Sequence, residues 1–96
     1  MKIYIAGPMT GYQNFNREAF NKVAEQIHRH GDVALNPAIL PDGLDHDEYL
    51  TICMAMLDVA DEVVMLPNWE YSVGANKEHD RATQRGMQIT YLEALA

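Results

Sequence analysis

Glu62-Val63-Val64-Met65-Leu66-Pro67 is an unbroken apolar run behind one acidic residue, stopped by a proline. A half-exposed edge strand alternates apolar and polar residues. This run does not, so it reads as a parallel strand, Glu62 to Leu66, covered on both faces. Parallel neighbours need long crossovers, and the flanking sequence supplies them. Upstream, Asp45 with Glu48 makes a capping-box start, and Tyr49, Ile52, Cys53, Met56, Leu57 and Ala60 recur at helical spacing. Downstream, the polar loop Asn68 to Ser72 leads into a helix predicted from about Val73 to Arg85. Gly86 is placed to cap it, and Gln88 to Leu92 supplies a fourth strand.

Toward the N-terminus, Lys2 to Ala6 carries Ile3, Tyr4 and Ile5 and halts at Gly7-Pro8, which reads as a buried first strand. Ala19, Phe20, Val23, Ala24 and Ile27 form a helical stripe within Arg17 to His30, with Asn14 or Asn16 as N-cap and Gly31 as the stop. Val33 to Leu35 is a brief second strand before Asn36-Pro37 and the turn-rich Pro41-Asp42-Gly43. The order β-α-β-α-β-α-β implies one α/β domain over residues 1–96: a small flavodoxin- or Rossmann-like three-layer sandwich with a four-stranded parallel sheet. Ligands of such sheets bind beyond the carboxyl ends of the strands. Those ends carry Gly7 to Asn14, Asn36 to Leu44 and Pro67 to Gly74, and the site is expected where the loops after the first and third strands meet.

The chain has 96 residues, 48% of them hydrophobic, enough for one core and too few for a separate substrate domain. Seven Lys and Arg against fourteen Asp and Glu leave a net charge of −7, which opposes binding to a nucleic-acid polymer. Cys53 is the single cysteine, and no signal peptide or membrane-length apolar run is visible. A cytoplasmic protein with no membrane partner is the expectation. His28 and His30 sit at a polar helix end, and His46 and His79 lack partners at metal-ligand spacing, so neither a metal site nor a cofactor is expected.

Two segments carry chemistry. Gly7-Pro8-Met9-Thr10-Gly11-Tyr12 leaves a buried strand toward a helix, so its N–H groups face either a phosphate or sugar hydroxyl, or nothing beyond the turn itself. Ser72-Val73-Gly74-Ala75-Asn76-Lys77-Glu78 is a small-residue entry to a helix with a carboxylate about one turn in. Gly74 and Ala75 let a ligand approach closely. The helix dipole is expected to favour ionised Glu78, as suits a nucleophile, although dipole stabilisation alone also explains a glutamate there.

Together, Tyr4-Ile5-Ala6-Gly7-Pro8-Met9-Thr10-Gly11 and Ser72-x-Gly74-Ala75-x-x-Glu78 resemble the nucleoside 2-deoxyribosyltransferase superfamily, most closely its short, often phage-encoded branch. The likeness extends through Asn36-Pro37-Ala38, Leu40 to Leu44 and Leu66 to Glu70. It implies that Glu78 matches the family's nucleophilic glutamate and Tyr4 a tyrosine that orients it. Ser72 falls where deoxyribosyltransferases often have an aspartate on the sugar, and where related deoxynucleoside monophosphate N-glycosidases have a serine on the 5′-phosphate. Gly7, Pro8, Met9, Thr10, Gly11, Gly74 and Ala75 would then surround the ligand.

The resemblance further implies a glutamate that attacks the anomeric carbon to form a glycosyl ester, later resolved by water or a second base. One position departs from the family. Its enzymes carry an aspartate eight residues before the Asp of the Ala-Asp pair leading into the third strand, where it protonates or positions the leaving base; the same count from Asp61 gives Cys53. A thiol ordinarily titrates at about 8.5 and hydrogen-bonds poorly, so a contribution of roughly 10²–10⁴-fold is in question. Cys53 also fits as a small core residue. Trp69 either stacks on a base or packs the fold, with Tyr71 beside it.

The expected ligand is a small nucleoside or nucleotide, handled by an N-glycosidase or deoxyribosyltransferase-like enzyme, with a homodimer completing a shallow pocket. The alternatives are a non-catalytic nucleotide or nucleotide-sugar binding module with a degenerate site, favoured by Cys53, and an interaction domain that uses the fold alone.

Overall fold

Four short apolar segments pair as parallel strands in the computed structural model, which describes residues 1–93. They are β1 (Lys2–Ala6), β2 (Val33–Leu35), β3 (Glu62–Met65) and β4 (Gln88–Tyr91), in the order β2-β1-β3-β4. The helices are α1 (Arg17–Arg29), α2 (His46–Asp58) and α3 (Val73–Gln84). The fold is the expected Rossmann-like α/β sandwich, and the last three residues of the expected 1–96 domain lie outside the described ones. Element ends differ by a residue or two from those read off the sequence. Leu66 falls just past β3, although its N–H still bonds the Ala6 carbonyl at 2.8 Å.

Strand order follows from the crossovers. The chain steps from β1 outward to β2, then returns across β1 to β3 and β4. With right-handed crossovers, that reversal places α1 on one face and α2 with α3 on the other. The register keeps the two side-chain sets apart: Ile3 aligns with Ala34 and Glu62, while Tyr4 aligns with Leu35 and Val63. Tyr4, Ala6, Val63 and Met65 accordingly pack with Cys53 and Leu57 of α2 and Ala75 and Ala82 of α3. Ile3, Ile5 and Leu66 pack with Phe20, Ala24 and Ile27 of α1. Burying a side chain such as Phe20 stabilises the fold by about 1.5–3 kcal/mol.

The loop after β1 is tightly wound. Gly11 has φ +84°, and Asn14, Phe15 and Asn16 follow in the left-handed region at 51°, 54° and 62°. Asparagine tolerates that conformation; phenylalanine rarely adopts it. Asn16 is the N-cap residue of α1, yet its side chain is spent elsewhere, donating from Nδ2 to the Pro8 carbonyl at 2.9 Å. Arg17 fastens the turn by donating to Asn14 Oδ1 at 3.3 Å, and its guanidinium lies 5.1 Å from the centre of the Phe15 ring. At the other side of the crevice, Asp45 and Glu48 form the expected capping box of α2, with Glu48 accepting from the Asp45 N–H at 2.8 Å.

Candidate functional site

β1 and β3 carry Tyr4 and Met65 to the middle of the sheet, and the chain reversal at β1 opens a crevice above their carboxyl ends. A cavity of about 350 Å³ occupies it, within the size range of small-ligand sites. Its floor is a buried polar trio. Tyr4, fully buried in the central strand, donates its hydroxyl to Glu78 Oε2 of α3, and Cys53 of α2 lies beside them. Glu78 is 6% exposed.

Burial sets the chemistry of all three groups. It pushes the Glu78 carboxyl up to about 7, against the hydrogen bond from Tyr4, which favours the carboxylate. This corrects the expectation of an ionised state favoured by the helix dipole. Glu78 is the sixth residue of α3 and so stands beyond the first turn, where the dipole acts, whereas desolvation acts in full. Near neutral pH the group exists in both forms. Burial, reinforced by the charge of Glu78, holds Tyr4 well above its ordinary value, so it serves as a donor and not as an exchanger of protons. The Cys53 thiol is pushed up to about 11 by burial, which outweighs a hydrogen bond with Tyr4.

The walls come from four segments. Gly7, Met9 and Thr10 descend from β1, while Ser72, Gly74 and Ala75 begin α3. Ser72 is the N-cap residue of α3, its Oγ accepting from the Ala75 N–H at 3.2 Å. A Cβ on Gly74 would meet only His46 Cε1, at 3.9 Å, so the missing side chain leaves the cavity open. Gly7 differs: a Cβ there would stand 2.7 Å from Leu66 Cβ, so this glycine lets β1 leave the sheet against buried Leu66. Gly11 is needed for its positive φ.

Eight of the expected site residues therefore meet around the cavity, Tyr4, Gly7, Met9, Thr10, Ser72, Gly74, Ala75 and Glu78, and Cys53, the position that departs from the family, joins them. Pro8, Gly11 and Trp69 do not line it. Pro8 is buried behind the loop with its carbonyl bonded to Asn16. The Trp69 ring instead stacks on His79 of α3 at 4.3 Å, and His79 Nε2 bonds the Tyr91 hydroxyl at 2.6 Å.

Of the opposite wall, the sequence marks the Asn36 to Leu44 loop as a strand-end loop but singles out none of its side chains for the site. Phe15, Arg17 and Phe20 come from the first loop and α1, and Leu40, Asp42, Leu44, His46, Tyr49 and Leu50 from the loop after β2 and the start of α2. Arg17 donates to Asp42 at 2.5 Å, bridging the two segments. Tyr49 ties the second one down by donating to the Pro41 carbonyl at 2.6 Å and accepting from the Leu44 N–H at 3.3 Å. The available signal was the position of the Asn36 to Leu44 loop at a strand's carboxyl end. Among the described residues no group of three or more His, Cys, Asp or Glu side chains is placed to hold a metal ion, and no helix is long and apolar enough to cross a membrane.

A comparison with protein families matches residues 1–91 to DUF4406, described as a domain of unknown function. The chain belongs to the DUF4406 family. Comparison with curated proteins gives no match.

Proposed function

We propose that this DUF4406 chain is an N-glycosidase or deoxyribosyltransferase-like enzyme acting on a nucleoside or its 5′-monophosphate through a glycosyl ester on Glu78. One observation carries the reading: a buried carboxyl group, held by a buried tyrosine, forms the floor of a ligand-sized cavity. A carboxylate there is poorly solvated and fixed in direction, two properties that suit a nucleophile. Glu78 attacks the anomeric carbon, the C–N bond breaks with its electron pair going to the base, and the base departs. Water or a second base then attacks the same carbon and frees the carboxylate. The open first turn of α3 and Ser72 suit a sugar hydroxyl or a 5′-phosphate.

The resemblance to nucleoside 2-deoxyribosyltransferases supports the same roles for Tyr4 and Glu78. A homodimer belongs to this reading, since Tyr71 and Val73 stand exposed on either side of Ser72; sedimentation tests it. Cys53 favours a second reading, a nucleotide-binding module without turnover, because a thiol pushed up to about 11 is a poor proton donor at neutral pH.

Incubation with ribo- and deoxyribonucleosides and their 5′-monophosphates, with and without an acceptor base, separates the two. The expected outcome is free base released by the parent and not by Glu78→Ala. Thermal stabilisation by a nucleotide with no base released would establish the binding module instead.

A further inference from the structure

The glycosidic reading gives Glu78 the anomeric carbon and leaves the departing base without a proton donor; the present inference rests on that reading. A positioned acid contributes about 10²–10⁴-fold to such a step. Among the cavity's other ionisable groups, most are already committed. Tyr4 donates to Glu78, and Tyr49 donates to the Pro41 carbonyl. Arg17 stays charged and is paired with Asp42, whose carboxyl stands out in solvent. Cys53 holds its proton up to about pH 11. His46 remains.

Its position fits the task. His46 is the first residue of α2, and its Cε1 lies 3.9 Å from where a Cβ on Gly74 would stand. Gly74 and Glu78 are four residues apart on one face of α3, separated by about 6 Å along the axis. The imidazole therefore overhangs the cavity about one helical turn from the nucleophile, and nothing on Gly74 fills the space between them. In retaining glycoside hydrolases, which pass through such an ester, the nucleophile and the acid stand about 5–5.5 Å apart, close to one helical turn. The other histidines lie elsewhere: His79 is bonded to Tyr91, His30 to the Gln26 carbonyl, and His28 sits in the last turn of α1.

The geometry points to His46 as the acid that protonates the departing base. As Glu78 Oε bonds to the anomeric carbon and the C–N pair moves to the base, the imidazolium N–H passes its proton to a base nitrogen, and the base leaves neutral. The neutral imidazole then takes a proton from the incoming water as its oxygen bonds to the anomeric carbon. The ester C–O bond breaks, Glu78 regains its carboxylate and His46 its charge. The sum is hydrolysis of one glycosidic bond, with both side chains restored.

The test compares purine deoxynucleosides, and their 5′-monophosphates, with their N7-methyl derivatives. The methylated base already carries a positive charge and departs without a proton. His46→Gln should slow base release from the unmethylated substrates by about 10²–10⁴-fold and from the methylated ones less than tenfold. Glu78→Gln should abolish both. Equal losses on both substrates, or no loss on either, overturn the role of His46 while leaving Glu78 in place. A parent protein that releases no base even from the methylated substrates overturns the glycosidic reading, and this assignment with it.

Discussion

Glu78 is a carboxyl group on which burial and a hydrogen bond pull in opposite directions, and burial prevails. Its folded-state value of about 7 lies above the 4.5 of a free glutamate, so between those values the native chain holds a proton that the unfolded chain has lost. Stability tied to this group is thus complete below pH 4.5 and declines as pH rises through 7. Glu78→Gln should therefore be more stable to unfolding than the parent at pH 8, by up to about 3 kcal/mol, and match it near pH 4. Equal melting at pH 8 would show that the carboxylate is better solvated than its burial implies. The two glycines of the cavity should also behave differently. Gly7→Ala has to displace Leu66 and should cost about 1–3 kcal/mol in a denaturant titration. Gly74→Ala meets only ordinary contact, so it should fold like the parent and weaken nucleotide binding by narrowing the cavity.

At the scale of elements, Ser72 has two tasks. Its Oγ caps α3 through the Ala75 N–H, and the same side chain faces the cavity. Ser72→Ala should cost about 1 kcal/mol of stability, measured by thermal or urea unfolding. Ser72→Asn keeps a cap and should restore stability without restoring affinity. Elements were the most legible part of this sequence, because periodicity, Gly86 after α3 and the Asp45/Glu48 box are local signals. The site was only half legible. Tyr4, Ser72 and Glu78 stood out through a family pattern, whereas Arg17, His46 and Tyr49 reach the cavity through the crossing of α1 and α2 over the sheet. No local signal announces that. The state of Glu78 was misread for the same reason: the dipole is a property of its own helix, while its burial is imposed by β1 and α2.

For the whole molecule, the strand order matters more than any one contact. Reversal of the chain at β1 brings the first loop, the loop after β2 and the start of α3 to one rim, so the cavity is lined by segments far apart in sequence, and the nucleotide proposed for it would bridge them. Binding should thus be reported by global unfolding. A nucleotide at 100 times its Kd should stabilise the chain by about 2.7 kcal/mol, seen as a rise of many degrees in Tm, and the rise should be much smaller in Gly74→Ala.

Phe15 brings the scales together. It holds a left-handed backbone that glycine or asparagine would accept at less cost, and it stands 46% exposed on the cavity wall beside Arg17. Selection for a sturdier fold alone would replace it. Variants chosen in the laboratory for thermostability and variants chosen for ligand retention should therefore part company at residue 15, the first set shedding the aromatic ring and the second keeping it.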